Sequence, residues 1–120
     1  MVHSQLRKAS GIEILKAIFG KTQIISVAGD SMIPILEEGD WIIVNPHFQD
    51  LEIKKGVICV ANHPFITSKK VVKYINDIDQ SGRVYLLGAN PSTSTDSRSY
   101  GWIKKDEIFA LVQSKINSRR

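Results

Sequence analysis

Ser31 stands in the segment Gly29-Asp30-Ser31-Met32-Ile33-Pro34, between a glycine able to turn the chain sharply and a Met-x-Pro. A serine hydroxyl is a weak nucleophile until a base takes its proton. The segment is not a Gly-x-Ser-x-Gly elbow, because Ile33 fills the last place. A Ser-His-Asp arrangement is one way to supply the base. Neither His47 nor His63 lies in a triad motif, although spacing alone leaves a triad open. Lysine is the other option. A free lysine has a pKa near 10.4, so about one in 2,500 is uncharged at neutral pH. A lysine that works as a base must therefore be buried among apolar groups, where desolvation disfavours the ammonium. Lys73 fits, because Val71-Val72-Lys73-Tyr74-Ile75 sets it inside an apolar run. Lys69 and Lys70 precede that run and read as solvated. Taken alone, Lys73 is an ordinary outward-facing strand lysine; Ser31 in its sequence context shifts the reading toward a base.

These residues need a scaffold, and the sequence predicts a mostly β one. Ser10 and Glu13 have the spacing of a capping box at a helix start. The spacing predicts a short helix over 11–19, with Ile12, Leu15, Ile18 and Phe19 on one side and Gly20 as its stop. That helix packs on the domain or, as the sharper alternative, lies against a membrane surface or a partner. Strands are expected over 23–27, 41–44, 57–61, 70–75, 83–87 and 108–112. Asn45-Pro46 stops the second, and the turn Gln80-Ser81-Gly82 leads into the fifth. Many short strands with turn signals between them indicate an all-β barrel or sandwich. The Ser- and Thr-rich stretch 92–99 would pass on composition as a surface loop. The expected organisation is a lead-in and helix over 1–21, a catalytic domain over 22–114 and a basic tail over 115–120.

Composition narrows the classes further. The chain of 120 residues suits one domain with a modest core. Its net charge of +4 is partly local, since Lys115, Arg119 and Arg120 crowd the end; a solvated terminus explains them better than a nucleic-acid arm. No nucleic-acid partner is expected. Cys59, the single cysteine, lies in an apolar run and reads as a small buried hydrophobe, so nothing calls for an oxidising compartment. His3, His47 and His63 have no metal-ligand spacing with one another or with Cys59, so neither metal nor cofactor is expected. The longest stretch free of Asp, Glu, Lys and Arg covers only 56–68, short of the roughly 20 apolar residues of a spanning helix. No transmembrane segment or cleavable signal is expected, and the default location is the cytoplasm. Peripheral membrane contact through the N-terminal helix stays open.

A third segment joins the first two. Leu86-Leu87-Gly88-Ala89-Asn90-Pro91 leads into Ser94-Thr95-Asp96-Ser97-Arg98, then Tyr100-Gly101. It resembles the Gly-Asp-Asn…Ser-x-Asp-Ser-Arg-x-x-Gly box of the type I signal peptidases. The Ser31 segment and Lys73 resemble the nucleophile and base segments of the same serine-lysine protease superfamily, which includes the self-cleaving domains of LexA-type SOS repressors. All three occur in the superfamily's order, over roughly 24–112. The resemblance implies a small coiled β-barrel or sandwich with a short N-terminal helix. It implies that Ser31 is the acylating serine, Lys73 the general base, and Ser94 the hydroxyl that orients the lysine amine. Asp96 and Arg98 would be an ion pair holding the loop; without the resemblance they would be an ordinary surface pair worth little. Gly29, Asp30 and Ser31 form the turn whose Ser31 N–H would help build the oxyanion hole. The strands flanking the site would accept an extended substrate by strand addition.

The departures also carry information. The superfamily usually places aspartate where Ala89 stands and arginine where Tyr74 stands, and pairs them. Both partners are absent here, and loss of both can be nearly neutral where loss of one strands a charge. Gly29 replaces a serine or threonine that lends its hydroxyl to the oxyanion hole in many signal peptidases. The resemblance is nearest to the soluble proteases that trim the leader from nickel superoxide dismutase, through small size and the Gly-x-Asn-Pro-x-x-Ser-x-Asp-Ser-Arg pattern. It therefore implies a serine endopeptidase acting on a protein or peptide precursor, with the nickel superoxide dismutase precursor as the named candidate. Two alternatives remain. A self-cleaving regulator needs a scissile Ala-Gly or Cys-Gly in a flexible arm, and the chain before Thr22 has neither pair. A non-catalytic peptide-binding relative would keep the fold without the chemistry.

Overall fold

The computed structural model describes residues 6–92 and 95–116. It has helix α1 (Gly11–Phe19) and six strands: β1 (Gln23–Ser26), β2 (Trp41–Asn45), β3 (Ile58–Asn62), β4 (Lys70–Ile78), β5 (Val84–Leu87) and β6 (Ile108–Ile116). A one-turn helix, α2 (Ser97–Tyr100), lies between β5 and β6. The capping box is made: Glu13 N donates to Ser10 Oγ at 3.1 Å, and Ser10 N donates to Glu13 Oε1 at 3.0 Å. Two of the four amides that a helix start leaves unpaired are thereby satisfied.

The six strands form one sheet in the order β1-β2-β6-β3-β4-β5, with every pairing antiparallel. The mostly β architecture with a short N-terminal helix is the expected one. The sheet is not closed into a barrel, however. It bends at register shifts between Ile43 and Val44, Val60 and Ala61, and Ile75 and Asp77, as extra unpaired residues bend a strand. β1 and the first half of β4 face one another across a groove without pairing. Strand β6 runs beyond the expected stop at Val112 as far as Ile116, and β4 beyond Ile75 as far as Ile78.

Alternation along the strands builds a core on each face. Ile42, Val44, Ile58, Val60, Ala110 and Val112 join Met32, Ile35 and Leu36 in one cluster. Cys59, Ala61, Ile75, Leu86 and Leu111 form the other. Because both faces are covered, β3 reads as an unbroken apolar run, with Ile58 to Ala61 all buried. Helix α1 behaves differently from the packed expectation: Ile12 and Leu15 are 67% and 56% exposed. The expectations for the side chains of Ile18 and Phe19 fall outside what the structure describes. Among the described residues no helix is long and apolar enough to cross a membrane.

Candidate active site

The turn bearing Ser31 is anchored from below. Met32, Ile35 and Leu36 are all buried, and burying a side chain of this size contributes roughly 1.5–3 kcal/mol. Ile33 N donates to Asp30 O at 3.2 Å, and Ile35 N and Leu36 N both donate to Met32 O. Ahead of the serine, Gly29 has φ of 81°, a left-handed conformation that glycine reaches without Cβ strain. Behind it, the acidic turn over 37–40 closes on itself, Glu37 N donating to Asp40 Oδ2 at 2.9 Å and Asp40 N to Glu37 O at 3.0 Å, and is tied to the chain before the serine by Gly39 N donating to Val27 O at 3.0 Å. The serine thus stands half-buried on a hydrogen-bonded turn, while its neighbour Met32 is buried in the core.

Lys73 occupies the middle of β4, on the face that also carries Val71 and Ile75, directly across from Cys59 in β3. It is only 4% exposed. Its Nζ donates to Ser31 Oγ at 2.9 Å; an uncharged amine would accept the hydroxyl proton across the same distance. Burial is the main cause that holds the Lys73 pKa below the ordinary lysine value. The nearby Asp96 carboxylate pulls it back up, while the positive charges of Lys69 and Arg98 push it further down.

Asp96 is the anchor of the third segment. Its carboxylate is 1% exposed and accepts from Gly88 N at 2.8 Å, Arg98 Nε at 3.0 Å and Arg98 Nη2 at 2.6 Å. It also caps α2 by accepting from Arg98 N at 3.1 Å. Ser97, buried as well, accepts from Leu86 N at 2.8 Å through Oγ. Composition alone suggested a surface loop over 92–99; instead the chain turns inward at Asp96 and Ser97 because the end of β5 offers amides that need acceptors. Ser94, expected to orient the lysine amine, lies outside the described residues. Tyr74 and Ala89, where the superfamily usually carries a charge pair, both pack against the core cluster that holds Met32.

A groove of about 660 Å³ runs beside Ser31 and Lys73. One wall carries Gln23, Ile25 and Ser26 of β1, the other Lys70, Val71 and Val72 of β4. β1 pairs only with β2, and β5 pairs with β4 only from Tyr74 onward. Both walls therefore present backbone edges that lack a strand partner among the described residues, which suits a chain bound in extended form. The Ser31 N–H, too, has no acceptor among the described residues. Among the described residues no group of three or more His, Cys, Asp or Glu side chains gathers as a metal site.

Asn90 was not singled out from sequence. Its backbone N donates to Ser31 O at 2.8 Å, and its Nδ2 donates to Asp30 O at 3.1 Å. The only sequence signal was its place in the Gly-x-Asn-Pro pattern.

A mostly antiparallel β domain with a serine hydroxyl against a buried lysine amine, beside an open groove, defines a serine-peptidase-like domain. The chain belongs to the Peptidase S24-like family, whose model matches residues 4–112. No curated protein matches it.

Proposed function

We propose that the protein is a serine endopeptidase in which Ser31 is the nucleophile and Lys73 the general base. The observation that carries this reading is the 2.9 Å contact between Lys73 Nζ and Ser31 Oγ at a lysine only 4% exposed. A dry amine is uncharged far more often than a solvated one. In the proposed reaction the uncharged Lys73 amine takes the Ser31 hydroxyl proton as Oγ bonds to the scissile carbonyl carbon. The carbonyl oxygen gains the negative charge and faces the Ser31 N–H, a preorganised donor. The C–N bond then breaks, and the Lys73 ammonium gives its proton to the departing amine. Water attacks the resulting ester, again losing a proton to Lys73, and the acid product leaves as Oγ is reprotonated. The substrate would be an extended, small-residue segment of a protein precursor, seated between β1 and β4. The leader of a nickel superoxide dismutase precursor is the narrower candidate, supported by the Gly88-x-Asn90-Pro91 pattern that leads into Asp96-Ser97-Arg98.

The test is cleavage of a precursor peptide followed by mass spectrometry. Wild-type protein should release two fragments, and Ser31→Ala and Lys73→Ala should each abolish release. Undiminished hydrolysis by either variant refutes the dyad. A spontaneous N-terminal truncation that Ser31→Ala suppresses, without cleavage of added peptide, would replace the reading with a self-cleaving regulator.

A further inference from the structure

We infer that Asn90 is a positioning residue, the clamp that sets the Ser31 turn for acylation; this rests on the Ser31 and Lys73 roles proposed above. Asn90 reaches the turn from far along the chain and holds it at two successive carbonyls. Its backbone N donates to Ser31 O at 2.8 Å, and its side-chain Nδ2 donates to Asp30 O at 3.1 Å. Two bonds to adjacent peptide units restrain both the position and the tilt of the backbone between them. That backbone includes the Ser31 N–H, the group aimed at the developing oxyanion.

The clamp is itself held. Ser92 Oγ donates to Asn90 Oδ1 at 2.9 Å, leaving Nδ2 directed at Asp30 O. With the oxygen taken as acceptor on one side, the amide orientation is determined by its partners. Pro91 follows and keeps Asn90 out of the helical region. Two residues earlier, Gly88 N is bound by the buried Asp96 carboxylate at 2.8 Å. Between them, Ala89 packs against the cluster that contains Met32, the residue after the nucleophile. The buried anchor at Asp96 is thus connected through Gly88 and Asn90 to the turn that carries Ser31. Asn90 touches neither Lys73 nor the Ser31 hydroxyl among its hydrogen bonds, so it acts through the turn and not on the reacting atoms.

The role calls for a carboxamide. Aspartate keeps the size and can still accept from Ser92, but it has no N–H for Asp30 O and would set a negative oxygen against a carbonyl. Alanine keeps the backbone bond to Ser31 O and loses both side-chain bonds. A reacting group displaced by about 1 Å costs on the order of a hundredfold in rate.

The experiment compares wild type, Asn90→Ala and Asn90→Asp by two readouts. The first is the second-order rate of Ser31 acylation by a β-lactam probe across pH, with kcat and KM for a peptide substrate. Both variants should lose at least about tenfold in acylation rate and in kcat, with KM little changed, and Asn90→Asp should lose more. The pH at which the rate half-rises should stay put, because Lys73 keeps its surroundings. The second readout is amide hydrogen exchange in the turn at Ile33, whose N–H donates to Asp30 O; it should speed up at least about tenfold in both variants while the β-sheet amides keep their protection. Acylation within about twofold of wild type in both variants overturns the clamp, as does unchanged exchange in the turn. Wild-type protein that no probe acylates would refute the Ser31 and Lys73 roles instead; exchange would still decide whether Asn90 holds the turn.

Discussion

Replacing Lys73 by methionine should remove activity and stabilise the fold at neutral pH. Lys73 is 4% exposed and its main perturbation is burial, which disfavours the ammonium in the folded chain alone. Every unit by which a pKa lies below its unfolded value is worth about 1.4 kcal/mol at pH values where the folded group is still charged. Methionine has a similar unbranched stem and needs no solvent. The substitution gives up the bond to Ser31 Oγ, about 1 kcal/mol net. Replacing buried charged groups by apolar ones of similar volume often gains about 1–4 kcal/mol. With one bond lost, Lys73→Met should gain up to about 3 kcal/mol where the folded lysine is charged. The sign with pH follows from proton counting. Below the folded pKa both states bind the proton, and the folded protein carries the full penalty. Between the folded pKa and the ordinary lysine value near 10.4, the unfolded chain binds more protons, so wild-type stability rises with pH. The advantage of methionine should therefore be largest below the folded pKa of Lys73 and shrink as pH rises from there toward the ordinary lysine value. Urea unfolding of both proteins at several pH values measures it. A methionine variant less stable at pH 7, or a stability difference that does not change with pH, refutes the claim that desolvation dominates at Lys73.

Three further outcomes are expected. Arg98→Ala should move the alkaline rise of Ser31 labelling to higher pH, because the cation that pushes Lys73 down is lost while the Asp96 carboxylate that pulls it up remains. A rise moved to lower pH would contradict that balance. Gly29→Ala should destabilise the protein by about 1–2 kcal/mol from the left-handed backbone alone, since an added Cβ there meets nothing within 4 Å. Thermal melts measure it, and Gly29→Asn should lose less because asparagine tolerates that conformation. Ser10→Ala should cost about 1 kcal/mol by breaking the capping box, seen as faster amide exchange at Glu13 and unchanged exchange in β3.

Helix α1 was legible because its start signal is local: Ser10 and Glu13 satisfy each other's amides within one turn, and the helix ends at Phe19 before Gly20, as expected. The strands were legible as to place, since apolar alternation and Gly or Pro breaks act over a few residues. Their ends were less so. β4 continues to Ile78 because β5 pairs with it there, and β6 continues to Ile116 because β2 does. Only the second partner is far in sequence: Trp41 pairs with Ile116, whereas Val84 meets Ile78 around a short turn. Whether the apolar stripe of α1 packs on the domain or faces outward was left open by the sequence, because periodicity marks a stripe without saying what covers it; Ile12 and Leu15 are exposed.

Sequence by itself determined which groups could react: a hydroxyl beside a sharp glycine turn, an amine inside an apolar strand, and a carboxylate–guanidinium pair two residues apart at Asp96 and Arg98. Residue type and short-range pattern suffice for that. Only the tertiary structure decided that Lys73 Nζ meets Ser31 Oγ across 42 residues of chain, and that Asn90 Nδ2 meets Asp30 O across 60. It also decided that Asp96 is buried and that the sheet stays open beside the nucleophile. Such contacts depend on how strands far apart in sequence pack and bend together, and no local preference encodes them.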